Sequence, residues 1–179
     1  MDFVVTDAEY QTFGNTRETW WTRPGHHKEI FQIGAAKVIS GEVVDRVDII
    51  IKPSINPILT PESIKLSWVS QERIDSEGVS YVNWYRAFMD FTAGLEIYTY
   101  DNDQNVHLEN ALLNQSTIDR KTWIKVREKL ISYGINPEEY SSWDLFKALG
   151  LDIQWHVHDA FHDSHSLALS LIELKKRTI

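Results

Sequence analysis

The chain has 179 residues and a mass of 20.8 kDa, near the mode for one compact domain, so residues 1–179 are expected to share a single core without separate cofactor and substrate domains. Apolar residues make up 42% and charged residues 25%, which excludes disordered, collagen-like and coiled-coil classes, and the absence of Cys removes disulfide frameworks and thiolate chemistry. Lys and Arg total 18 against 26 Asp and Glu, a net charge of −8, which argues against broad electrostatic capture of nucleic acid but suits a chain that gathers carboxylates around divalent cations.

Residues 3–12 mix Phe, Val, Thr and Tyr and read as a first strand. Residues 14–27 form a loop, because Gly14, Asn15, Pro24 and Gly25 break regular structure, yet it carries Trp20 and Trp21, bulk that a solvated loop does not normally hold. Residues 29–39 and 43–52 read as two further strands joined at Ser40 and Gly41, completing an antiparallel meander. Pro53 and Pro57 end the third strand; Thr60, Pro61 and Glu62 then supply an N-cap, a first-turn proline and an acidic first turn for a short helix. Residues 81–91 set Val82, Tyr85, Phe88 and Met89 at helical spacing, and Ala93 with Gly94 closes that helix. An apolar strand over 95–100 follows, then helical patterns over 103–114, 119–133, 142–149 and 161–176. This order predicts a mixed α/β sheet covered by helices and not a regular βαβ repeat. No apolar run approaches the roughly 18 residues of a membrane span, and no basic-then-apolar leader follows Met1, so no membrane association and a cytoplasmic location are expected.

Three segments carry candidate chemistry. Asp7 and Glu9 stand at i and i+2 on the first strand, so a pleated backbone points both carboxylates to one face, where a divalent cation would relieve their repulsion. Asp101 and Asp103 follow the strand over 95–100 at its carboxyl end, where open sheets place functional groups, and spacing alone does not choose between them. His156, His158, Asp159, His162, Asp163 and His165 then crowd ten residues, with a helix expected from about Ala160 and His158 in the loop before it. His162 and His165 are expected to be exposed helix residues. His156, His158 and His162 also resemble the His-x-His-x-Asp-His signature of zinc-dependent metallohydrolases, but the match fails by one residue and lies at the wrong end of the chain.

Taken together, the three segments resemble the DnaQ-like 3′-5′ exonuclease family, DEDDh subgroup. Its Asp-x-Glu motif is met by Asp7 and Glu9, and its second strand looks like EIFQIGAAKV from Glu29 to Val38. The segment from Asn56 to Val69 is similar to the family's Leu-Thr-Gly-Ile region, with Ser67 and Trp68 in place of Thr-Gly. The second aspartate falls on Asp103 when residues 98–103 are aligned with the KapD-like and RNA-interference-related branch. His158, Ala160 and Asp163 meet His-x-Ala-x-x-Asp in full.

The resemblance implies an RNase H-like mixed five-stranded sheet, three-stranded antiparallel meander first, covered by helices. It also implies hydrolysis of phosphodiester bonds at the 3′ end of single-stranded RNA or DNA, with Asp7, Glu9, Asp103 and Asp163 holding two divalent cations, Mg²⁺ or Mn²⁺, and His158 as general base. Trp20 and Trp21 are candidate stacking residues for the substrate. A catalytically inactive binding module of the same fold is the other reading; it would not require Glu9 and His158 together.

Overall fold

Strand β1 (Phe3–Tyr10) is buried on both faces, and its period-two alternation feeds two cores. Phe3 and Val5 enter one core with Ala36 and Val38 of β2 (Ile30–Ile39) and Leu167 and Leu171 of the last helix, α7 (Ala160–Arg177). Val4 and Ala8 enter the other with Ile33 and Ala35, packed under Tyr81, Trp84 and Phe88 of α4 (Tyr81–Thr92) and Val106 of α5 (Asp103–Leu113). A strand covered on both sides needs near-continuous apolar character, which FVV supplies before the polar residues begin. The computed structural model describes all residues except Asn15, Trp20, 119–122, 155–157 and 178–179, so Trp20 and His156 lie outside the described residues.

The sheet order is β3-β2-β1-β4-β5, with β1 central. β1 pairs antiparallel with β2, and β2 with β3 (Glu42–Ile50), which is the expected meander. β4 (Ile97–Thr99) runs parallel to β1, and β5 (Trp123–Lys125) parallel to β4. The result is the RNase H-like mixed five-stranded sheet with helices on both faces. A short helix α1 (Thr16–Thr19) interrupts the loop after β1. Helices α2 (Pro61–Ser67) and α3 (Gln71–Glu77) close a third cluster of Phe31, Ile50, Leu59, Val69 and Ile74. Thr60 caps α2 as anticipated, its side chain accepting from the Ser63 N–H at 3.1 Å. No described helix is long and apolar enough to cross a membrane.

Three expectations need correction. Residues 119–133 are not a helix throughout: they contain β5 and a 3₁₀ helix over Arg127–Tyr133. Three residues are too few to display alternation, and Trp123 is recruited by a neighbour distant in sequence, Ile97 on β4. Helix α3 was not anticipated, because Ile74 is its only buried residue and a single anchor sets no period. The expected helix over 142–149 contracts to α6 (Leu145–Ala148).

Candidate active site

Asp7 and Glu9 continue the Phe3–Val5 face of β1, the face covered by α7, and are only 7% and 9% exposed. Their ladder partners on β2 are Gly34 and Gln32. Both partners act on the start of α7. A Cβ added at Gly34 would lie 2.0 Å from the Ala160 carbonyl oxygen, so only glycine lets the helix approach the sheet this closely. Gln32 is fully buried; its Oε1 accepts from the Ala160 N–H at 3.3 Å, and its Nε2 donates to Asp48 at 3.0 Å and toward Asp159 at 3.4 Å. Asp159 Oδ1 in turn accepts from the N–H groups of Phe161 and His162, capping the helix. Arg73 holds Asp48 from the far side at 2.7 Å.

The docked helix presents Asp163, 3% exposed, to the strand carboxylates. His158 precedes it with φ +62°, a left-handed conformation rare for residues with a side chain, and its N–H donates to Asp163 Oδ2 at 3.1 Å. One ligand atom each from Glu9, His158 and Asp163 lie within 4.8 Å of one another. His162 is elsewhere: its Nδ1 faces Asp159 at 3.7 Å. It is 28% exposed and His165 is half-buried, so neither is the exposed surface residue expected. Among the described residues, His162 is not part of the group that Glu9, His158 and Asp163 form, and His156, the remaining member of the zinc hydrolase pattern, lies outside the described residues.

The two aspartates after β4 have separate tasks. Asp101 pairs with Arg127 at 2.9 Å, and Arg127 also reaches Glu138 at 2.6 Å. Asp103 opens α5 but is not its cap; Asn102 holds that position without a side-chain bond. Asp103 is instead the neighbouring charge that acts most strongly on Asp7. Of the two, Asp103 is the one whose charge bears on Asp7, while Asp101 is engaged by Arg127.

Burial is the main reason that all four carboxyls resist ionisation. It holds Asp7 well above the usual carboxylate range, with Asp103, Asp163 and Glu9 adding repulsion and the Ser142 hydroxyl partly offsetting them. Glu9 is pushed up to about 8 by burial, then by Asp163 and Asp103. Asp103 and Asp163 also rise through burial, against backbone N–H groups that favour their charged forms. Among the described residues, no Lys or Arg forms an ion pair with any of the four. Buried, mutually repelling carboxylates that no protein cation pairs with fit hard divalent ions such as Mg²⁺ or Mn²⁺, whose preferred ligands are oxygens.

A cavity of about 680 Å³ opens beside this cluster, lined by Glu9, Tyr10, Phe13, Trp21, Glu62, Lys65, Leu66 and His158 among others. Trp21 is a fixed wall of it: its indole N–H donates to the Gln11 carbonyl at 2.7 Å, and its ring meets Tyr10 at 5.5 Å, edge to face. Gln11, fully buried, ties α2 to the end of β1. Its Nε2 donates to the Asn56 and Ile58 carbonyls at 3.0 and 2.9 Å, and its Oε1 accepts from the Ser63 hydroxyl at 2.9 Å. The supporting roles of Gln11, Gln32 and Ser142 are not legible in the sequence. Their partners lie tens of residues away, so local spacing carries no sign of them.

The exonuclease family model RNase_T matches residues 4–170. Among curated proteins no match is found. Among solved structures, the chain is similar to the nuclease domain of 3′hExo, a DEDDh family member bound to rAMP, with 17% identity, TM-score 0.85, and coverage of 98% of this chain and 92% of that one. It is similar to cell-death related nuclease 4 (CRN-4) with 16% identity and TM-score 0.79, covering 98% and 64%. Against E. coli exonuclease I in complex with a dA16 oligonucleotide, identity is 15% and TM-score 0.69, covering 98% and 41%. These likenesses share the fold described above, and the match over residues 4–170 establishes that the chain belongs to the RNase_T exonuclease family.

Proposed function

We propose that this protein is a 3′-5′ exonuclease that removes nucleotides from the 3′ end of single-stranded RNA or DNA. The observation that carries the reading is the convergence of Asp7, Glu9, Asp103 and Asp163 from three separate segments, with His158 beside Glu9 and Asp163. Those four carboxylates are the ligands for two divalent cations, Mg²⁺ or Mn²⁺. Bound there, the pair would stabilise charge on the attacking and leaving oxygens of a phosphodiester. His158 takes the proton from the attacking water, a task that suits an imidazole near neutral pH.

The remaining residues position the substrate. The cavity lined by Tyr10, Phe13, Trp21 and Leu66 receives the terminal nucleotide, and Trp21 offers a ring against which a base stacks. Trp20 is assigned the same role from the sequence. A terminal grip of this kind needs no extended basic surface, which reconciles a nucleic-acid substrate with a net charge of −8. The rAMP bound by 3′hExo and the dA16 bound by exonuclease I support the substrate class.

The test is to incubate the protein with 5′-labelled single-stranded RNA and DNA in Mg²⁺ or Mn²⁺. The expected product is a ladder shortened one nucleotide at a time from the 3′ end and abolished by EDTA. A labelled mononucleotide released at the outset, or turnover that survives EDTA, would overturn the reading.

A further inference from the structure

The loop leading into β2 brings a cation against Trp21 and Tyr10, two residues that line the cavity beside this anionic site. Lys28 is half-buried, with its ammonium 4.8 Å over the Trp21 ring and 5.9 Å from the Tyr10 ring centroid. It stands close enough to Asp103 to favour that carboxylate's charged form. Among the described residues it makes no ion pair, so its hydrogen-bonding capacity is not committed to a carboxylate.

The backbone at Lys28 is anchored to the helix that carries Asp103. Asn110, buried on α5, donates through Nδ2 to the Lys28 carbonyl at 2.7 Å and accepts at Oδ1 from the Ile30 N–H at 2.9 Å. Lys28, Trp21 and Asp103 are therefore held in one arrangement by α5 and the end of β1. The aromatic faces support the ammonium without neutralising it, because the ring quadrupole attracts a cation and leaves its charge uncancelled.

A strand whose last nucleotide occupies the cavity must leave the carboxylate cluster across one of its flanks. Most of the protein's field repels that polyanion, so a local, uncommitted cation decides which flank is favourable. We propose that Lys28 binds the phosphodiester backbone of the substrate upstream of the 3′-terminal nucleotide, held for that purpose on the faces of Trp21 and Tyr10. This assignment rests on the nuclease reading of the site.

The test uses Lys28→Met, which keeps an apolar stem over Trp21 but removes the charge, and Lys28→Arg, which restores it. Fluorescence anisotropy would follow binding of a labelled oligothymidylate carrying a 3′-terminal phosphorothioate, with Mn²⁺ saturating for each variant, over a range of salt concentration. The affinity of Lys28→Met should fall roughly three- to tenfold at low salt, and the slope of log K against log salt should shrink by about 0.7, the loss of one phosphate contact on a single strand. Lys28→Arg should keep most of both. Unchanged affinity and slope in Lys28→Met would overturn the proposal, as would an affinity loss with an unchanged slope, which would mean that the side chain only packs the loop. Failure of the nuclease reading would appear separately, as absence of 3′ shortening by the unaltered protein.

Discussion

Gly34 and Ala160 meet so closely that a Cβ on the first would lie 2.0 Å from the carbonyl oxygen of the second. Gly34 is the ladder partner of Asp7, and Ala160 opens the helix that carries Asp163, so this one approach sets the distance between two of the four carboxylates. Gly34→Ala should push the first turn of α7 outward, lowering stability by about 2–3 kcal/mol, the upper range for overpacking, and reducing turnover far more than the unfolded fraction accounts for. Urea unfolding beside an activity assay checks this; wild-type turnover in a folded Gly34→Ala protein would show that the approach does not govern the site.

Gln32 supports the same turn by hydrogen bonds. Gln32→Leu would leave the Ala160 N–H without this acceptor and Asp48 and Asp159 without this donor, at a cost of about 1–3 kcal/mol. Because Asp159 follows His158 directly, nuclease turnover is expected to fall by about tenfold, the equivalent of a misplacement worth 1.4 kcal/mol at the transition state. A thermal melt and a turnover assay on the same preparation separate the two effects. A melt that drops with turnover intact would confine Gln32 to folding.

The raised carboxyl pKa values have a defined consequence for stability. An unfolded Asp or Glu titrates near 4, whereas burial carries Glu9 up to about 8 and raises the other three. The folded, cation-free protein therefore binds more protons than the unfolded chain between these values. The associated stabilisation is complete below about pH 4 and is lost as pH rises toward 8. Scanning calorimetry in EDTA should show Tm falling from pH 5 to pH 8 through this cluster, Mn²⁺ should raise Tm most at pH 8, and Asp7→Asn should flatten the decline. A cation-free Tm that rises over this interval with no response to Asp7→Asn would contradict the electrostatic description.

Asp101 and Asp103 give a direct contrast. Asp103→Asn should abolish turnover while preserving the fold. Asp101→Asn should keep turnover and lose at most about 1 kcal/mol, since its pair with Arg127 is partly exposed. Activity assays of the two variants side by side decide the matter, and an active Asp103→Asn protein would transfer the role to Asp101.

The parts of this arrangement that were legible in the sequence are those with short-range signatures. Asp7 and Glu9 share a face because a strand has period two, and Thr60 with Pro61 marks a helix start wherever it occurs. Asp163 could be placed on a helix starting near Ala160, but its convergence with β1 became readable only through resemblance to a family with the same three motifs in order. What escaped depends on partners distant in sequence. β5 exists because β4 offers it an edge, and Asp101 separates from Asp103 only because Arg127 arrives from beyond β5. Gln11 and Gln32 read as ordinary polar residues on a strand, yet each is fully buried: Gln11 joins α2 to the carboxyl end of β1, and Gln32 joins the start of α7 to β2.

The division of labour between carboxylates and histidine is the centre of this account, and His158→Ala tests it most directly. Measured in single turnover on an end-labelled strand at saturating Mn²⁺, the variant should cleave roughly 10² to 10⁴ times more slowly, the range for losing a general base, because the proposed cation ligands Asp7, Glu9, Asp103 and Asp163 are all retained. A rate equal to that of the unaltered protein would contradict the assignment of the base to His158, and a rate restored only by raising Mn²⁺ would make His158 a ligand instead.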